Sequence, residues 1–169
     1  HHRSSAASDV YKRQGESVIN LWGGYQDANR RRAWEEDTLC NTFSVSKAMT
    51  SACILKLIEE RKIDLNEKVS FYWPEYGCNG KEDTKIIDLL THRAGMFAFE
   101  DNFKITNEDW TNWNLFVTKL AKQKPFYTPG SAQSYHALTF GFLVGEVVRR
   151  VDGRSLGTYF KEKIADAYN

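Results

Sequence analysis

Ser44 and Lys47 stand three residues apart in the segment Ser44-Val45-Ser46-Lys47. On a helix that spacing puts both side chains on one face, with Cβ atoms about 5–6 Å apart, so the amine reaches the hydroxyl. A hydroxyl at a helix N-terminus also meets unpaired main-chain N–H groups and the positive end of the helix dipole. Both stabilise a developing alkoxide or oxyanion. The chemistry this permits is nucleophilic attack by the serine, with the lysine taking its proton once burial disfavours the ammonium form. Spacing alone leaves a second reading open, in which Ser44 is a helix cap and Lys47 a surface residue.

Other candidate groups point less far. Gly153-Arg154-Ser155-Leu156-Gly157 has the G-x-S-x-G spacing of a nucleophile elbow. That motif needs a strand before it and a helix after it. A helical pattern precedes it here, so Gly153 reads as a helix stop and Ser155 as the next helix cap. His92 could be offered as a triad base. Cys40, Cys53 and Cys78 are odd in number and form no C-x-x-C pair, which does not fit a disulfide framework or a thiolate zinc site. No two of His1, His2, His92 and His136 have H-x-x-x-H spacing, so metal chemistry has no support, and acyl transfer through a serine needs no metal or organic cofactor.

The elements that must position Ser44 and Lys47 follow from periodicity and punctuation. Ser17 to Trp22 predicts a strand, with Gly23-Gly24 turning into a second strand from Tyr25. A charged loop runs to about Asp37, and a long helix is expected over about 44–61. Its Val45, Ala48, Met49, Ala52, Leu55 and Ile58 form one broad stripe, with Cys53, Ile54 and Leu57 apolar elsewhere. A helix apolar nearly all round is a buried central helix, and Lys47 is expected at its buried end. Further helices are predicted over 86–92, 107–122 and 137–150, with a last one running from Ser155 to the end. Thr128-Pro129-Gly130-Ser131 is a turn. Gly141 and Gly145 are expected to allow close helix packing. Two strands alone do not make a stable sheet, so further strands are expected beyond the C-terminus.

With 41% hydrophobic and 14% aromatic residues, the 169-residue chain suffices for one domain with a core. A net charge of +1 gives no global field for nucleic acid or an anionic membrane, and no apolar run is long enough for a membrane span. Residues 1–14, with two leading histidines and a polar Ser/Ala run, read as a tag, linker or processing scar. They are set aside from the fold, leaving 15–169 as one partial domain. No signal peptide is visible, and unpaired cysteines favour the cytoplasm.

Several stretches resemble the serine β-lactamase and penicillin-binding protein superfamily, in its class C β-lactamase-like branch and above all its family VIII carboxylesterases. They are Phe43-Ser44-Val45-Ser46-Lys47, Lys62 to Val69, Leu89-Leu90-Thr91-His92-Arg93-Ala94-Gly95-Met96, Tyr127-Thr128-Pro129-Gly130-Ser131, and Tyr135-His136-Ala137-Leu138-Thr139-Phe140-Gly141. The resemblance implies an α+β, β-lactamase/transpeptidase-like fold, a helical region beside an antiparallel sheet whose C-terminal strands are missing. It implies Ser44 as acylated nucleophile, Lys47 as its activator and Tyr135 as the tyrosine sharing the proton-transfer work. For His92 it implies a place in a structural turn from Leu89 to Gly95 instead of the role of triad base. His136, beside Tyr135, is expected to line the substrate site. The substrate expected is a small-molecule ester or β-lactam-like amide, with no nucleic-acid partner. Alternatives are a D-alanyl-D-alanine peptidase, a β-lactamase proper, or an inactive scaffold module of the same fold. Ala137 departs from the family's Tyr-x-Asn form and tilts the reading toward esterase. No third motif of the Lys-Thr-Gly type is present, so this stretch by itself is expected to have little activity.

Overall fold

The computed structural model describes residues 7–100 and 104–168, in two compact units, 1–42 and 43–169. In the first unit, strand β1 (Ala7–Arg13) pairs antiparallel with β2 (Glu16–Gly23). Gln14 and Gly15, both with positive φ, make the two-residue turn between them, the conformation that matches the twist of a hairpin. A bulge between Tyr11 and Lys12 shifts the register. The predicted strand at Ser17–Trp22 thus lies inside β2, but its partner precedes it. Tyr25 starts no strand and makes only an isolated bridge to Ala33. β1 comes from the stretch set aside as tag-like. Its turn carries Gln-Gly rather than the stronger Asn-Gly or Asp-Gly hairpin signal, so composition outweighed pattern. The loop that follows is organised by Asp27, whose carboxylate accepts the Asn29 and Arg32 amides at 2.9 and 3.2 Å and pairs with Arg31 and Arg32.

The second unit is helical. Helices α1 (Ser46–Glu59), α2 (Val69–Tyr72), α3 (Ile86–Leu90), α4 (Trp113–Lys122), α5 (Thr139–Asp152) and α6 (Leu156–Lys163) surround one core. α5 is the central element, packed by α1, α3, α4 and α6, and it buries Phe140, Leu143, Val144, Val147 and Val148. Gly153 ends it in the left-handed conformation, and Ser155 caps α6 by accepting the Thr158 amide. Ser155 is therefore a cap in the structure as in the sequence. An added Cβ at Gly145 would lie 2.7 Å from Trp113 Cη2, so this glycine lets α4 and α5 close. Gly141 has nothing within 4 Å and serves no such contact.

Boundaries differ where caps intervene. α4 starts at Trp113, not Asn107, because Asn112 accepts the Leu115 amide at 3.1 Å after a 3-10 turn at Asp109–Thr111. α3 ends at Leu90 because His92 takes φ 61. α6 gives way to a 3-10 turn at Ala165–Tyr168.

The larger correction concerns α1. Its core side is Thr50, Cys53, Ile54 and Leu57. The broader stripe expected to be buried keeps Val45, Met49 and Leu55 exposed by 58, 46 and 57%. The wheel had two apolar sides, and within this unit the neighbours α5 and α6 cover only one.

Glu146 is fully buried in α5. Arg149 Nε and Arg150 Nε donate to it at 2.7 and 2.8 Å, and Trp113 Nε1 does so at 2.8 Å. Burial pushes its carboxyl up, but the hydrogen bonds from Arg149, Arg150 and Trp113 outweigh this and hold it below the usual 4.5. Breaking a buried pair from one side costs about 3–5 kcal/mol. Both guanidiniums keep about a third of their surface in water, so the cost of Glu146→Leu is expected to fall below that range, to about 2–3 kcal/mol. A folded-state value below the unfolded one means that Glu146 stabilises above about pH 4.5, and that this is lost as pH falls through the folded value. Urea midpoints read by helical circular dichroism at pH 7 and pH 3 should show a gap between wild type and variant that narrows in acid.

Candidate active site

Ser44 lies in a 3-10 turn, Phe43–Val45, immediately before α1, and Lys47 in the first turn of α1. Phe43 enters with φ 46, a left-handed conformation that bulky residues seldom take. Ser44 is not the cap of α1. The cap position is Val45, with no side-chain cap hydrogen bond. That leaves the Ser44 hydroxyl for other partners.

Two groups converge on it. Tyr135, from the loop before α5, donates its phenol to Ser44 Oγ at 2.7 Å. Lys47 Nζ donates to the same oxygen at 3.3 Å. Lys47 also donates to the Ala137 carbonyl at 2.8 Å, and its nitrogen stands 5.0 Å from the centre of the Tyr135 ring. The three residues expected from the motifs therefore meet, across 91 residues of sequence for the tyrosine. Ser44 and Tyr135 are exposed and Lys47 is half-buried, so the site is open. The expectation of a lysine sunk in the core does not hold. Its ammonium is held by a hydroxyl and a main-chain carbonyl, because the face of α1 that carries it is the uncovered one.

The Tyr135 phenol is held below its ordinary value near 10 by hydrogen bonding, first with Ser44 and then with Lys47. Both interactions favour the phenolate. Ser44 Oγ–H could then donate to the phenolate, the first movement of a general-base step.

His136 was expected to touch substrate, and the structure places it elsewhere. Its ring is fully buried. Nδ1 lies 2.6 Å from the Ser134 carbonyl, and Nε2 accepts the Met96 amide at 3.0 Å. Burial depresses its basicity to about 4, so it is neutral at pH 7, with its proton on Nδ1. Both nitrogens are committed to the main chain, which leaves no atom for a ligand. Ala137 also acts in a way its side chain cannot signal, since its carbonyl anchors Lys47. His92 was assigned to a turn, and it lies against Tyr135 with ring centres 4.9 Å apart. Gly95, φ 71, comes so near this loop that a Cβ would stand 2.5 Å from the Tyr127 carbonyl oxygen. Among the described residues no group of three or more His, Cys, Asp or Glu is placed to hold a metal ion, and no helix is long and apolar enough to cross a membrane.

The family model Beta-lactamase matches residues 1–169. The chain belongs to the beta-lactamase family. It is 32% identical over 152 residues to the esterase/beta-lactamase LipL of Mycobacterium tuberculosis, covering 90% of this chain and 34% of that protein. Among solved structures, a family VIII carboxylesterase superposes with a TM-score of 0.85 at 41% identity, covering 96% of this chain and 44% of that one. A penicillin-binding protein homologue from Caulobacter crescentus gives 0.84 at 35% identity, covering 96% and 42%. The fold is therefore β-lactamase/transpeptidase-like, and the family is one of serine hydrolases. The chain spans about a third to under half of the length of these relatives.

The convergence on Ser44 has a direct spectroscopic consequence. With tyrosines labelled at 13Cζ, the Tyr135 resonance should titrate below the normal tyrosine range. In Ser44→Ala the midpoint should rise toward about 10, because the first of the two interactions favouring the phenolate is gone.

Proposed function

We propose that this chain carries the acyl-transfer site of a serine hydrolase that acts on small esters through a covalent acyl-Ser44 intermediate. The observation that carries the reading is the meeting of the Tyr135 phenol and the Lys47 amine on Ser44 Oγ, at 2.7 and 3.3 Å. Tyr135, as phenolate beside the Lys47 ammonium, accepts the Ser44 proton while Oγ bonds to the substrate carbonyl carbon. The tetrahedral oxyanion collapses, the ester C–O bond breaks, and the leaving alkoxide takes the proton from Tyr135. Water then adds to the acyl carbon and gives a proton to the tyrosine; the acyl C–Oγ bond breaks, the tyrosine returns that proton to Ser44 Oγ, and the carboxylic acid leaves. Lys47 keeps its amine hydrogen-bonded beside Ser44 Oγ and Tyr135, braced by the Ala137 carbonyl.

Ala137 favours esters over β-lactams. A side-chain amide there could bind a substrate amide, and alanine offers none. The similarity to a family VIII carboxylesterase and to an esterase/beta-lactamase supports the same direction. The oxyanion donor that the family resemblance places on a later strand is not in this stretch, so acylation by these 169 residues should be about 10²–10³ slower than by a longer form carrying that strand.

The test is covalent labelling with a fluorophosphonate and with p-nitrophenyl acetate, read by intact mass and peptide mapping. The expected result is one adduct, on Ser44, absent in Ser44→Ala. In Tyr135→Phe it should form about 10²–10⁴ more slowly. Labelling of Ser44→Ala at the wild-type rate would overturn the assignment. Labelling by a fluorescent penicillin faster than by the ester would turn the reading toward a β-lactamase or peptidase. No adduct with any reagent, in this chain or a longer one, would leave a scaffold module.

A further inference from the structure

Tyr135 is exposed by 54%, so packing of its own ring does not fix where its phenol points. The main chain on either side of it is fixed, and by one residue. Ser134 N–H donates to the His92 carbonyl at 3.1 Å. His136 N–H donates to His92 Nδ1 at 3.2 Å. The His92 ring also lies against the Tyr135 ring, 4.9 Å between centres and tilted by 59°. A single residue can do all three because it takes φ 61, which turns its carbonyl and its ring toward the same stretch of chain. That position is itself anchored. Arg93 N–H donates to the Asp88 carbonyl at 2.7 Å, and Tyr127 OH to the His92 carbonyl at 3.3 Å.

We propose that His92 is a positioning residue for Tyr135, gripping the main chain on both sides of the phenol-bearing residue, and that it does so only as a neutral ring with its proton on Nε2. An acceptor at Nδ1 requires that tautomer. Protonation converts Nδ1 from acceptor to donor, facing the His136 N–H, also a donor. The contact then becomes repulsive and the grip on the C-terminal side of Tyr135 is lost. The titratable groups facing His92 are the Lys47 amine from α1, the Tyr135 phenol, the Tyr127 phenol on its carbonyl, and the His136 ring at 5.5 Å between centres. α5 contributes only the uncharged Phe140 ring, at 5.0 Å. Burial first, and the Lys47 charge second, hold His92 below the usual 6.5. The neutral form is therefore the one present at pH 7, and the grip fails as pH falls through that lowered value. His136, neutral down to about 4, completes the clamp by binding the Met96 amide and the Ser134 carbonyl.

This inference rests on the reading of Tyr135 as the proton carrier for Ser44, and its test separates the two. The 169-residue chain is labelled with 15N-histidine and 13Cζ-tyrosine. In the wild type, imidazole 15N shifts at pH 7 should show His92 with Nδ1 bare and Nε2 protonated. A proton on Nδ1 would overturn the proposal without any variant. Two substitutions then divide ring packing from hydrogen bonding. His92→Asn keeps an acceptor near the Nδ1 position, tolerates positive φ and cannot be protonated. It should leave the Tyr135 ionisation midpoint in place, keep the limb of Ser44 labelling set by that midpoint, and remove the further fall that follows the His92 titration read from its 15N shifts. His92→Phe keeps an aromatic ring without an acceptor. It should let the Tyr135 midpoint rise toward about 10 and slow labelling about 10- to 100-fold, with helical circular dichroism confirming that it has folded. A Tyr135 midpoint in folded His92→Phe equal to wild type, or a fall in His92→Asn labelling that still follows the wild-type His92 titration, would overturn the proposal. Unchanged labelling in Ser44→Ala would instead defeat the acyl-transfer reading, and it would leave the tautomer and midpoint results standing.

Discussion

A hydrogen bond between two hydroxyls, Tyr135 to Ser44 across 91 residues of sequence, is the contact on which the site depends. Such a bond contributes only about 0.5–1.5 kcal/mol net, and both side chains are exposed. It cannot hold together the two pieces of chain that make it. Their separation has to be fixed by the helices beneath, and the bond reports how well that is done. The acyl transfer proposed for this site tolerates little slack, since a displacement of about 1 Å costs on the order of 10²-fold.

The fixing works in layers. At the base, α1 lies on α5 through Cys53, Ile54 and Leu57 against the apolar side of the longer core. This sets the two helix starts, one carrying Lys47 and the other following Tyr135, at a constant distance. Lys47 then ties them directly, since its ammonium reaches from the serine to the Ala137 carbonyl two residues beyond the tyrosine. Above that, the turn at Gly95 closes on Tyr127 with no room for a side chain. Thr139 Oγ1 and the His136 ring hold the Met96 carbonyl and amide, so residues 92–96 and 134–139 form one hydrogen-bonded block. Polar groups buried in such a block have to be fully paired or they destabilise it. The pairing of both His136 nitrogens meets that requirement.

How much of this could be read from the chain varied with the kind of signal. The serine and lysine were legible because helix geometry converts a spacing of three into contact. Tyr135 was legible only through resemblance, since nothing local about Tyr-His-Ala announces a partner 91 residues away. The helices were found by period, and their ends were missed wherever a cap such as Asn112 or a left-handed residue such as His92 overrode it. The exposed side of α1 was misjudged because an apolar stripe states a preference for burial and does not supply the neighbour. His136 was misassigned for a related reason. Adjacency in sequence to an exposed tyrosine suggests a shared surface, yet neighbouring residues in an extended loop point to opposite sides. Here Tyr135 faces solvent while His136 is in the core.

The hairpin has a thermodynamic meaning for the whole chain. The residues of β2 are exposed along its length, so little burial stabilises it, and two strands alone are marginal in water. The helical unit rests on a core of fully buried side chains. Two parts held by such different balances need not melt together, and a single unfolding free energy describes a chain only when they do. Trp22 and Trp34 lie in the first unit, and Trp73, Trp110 and Trp113 in the second. Where the two parts melt apart, tryptophan emission sums two equilibria, and its midpoint belongs to neither.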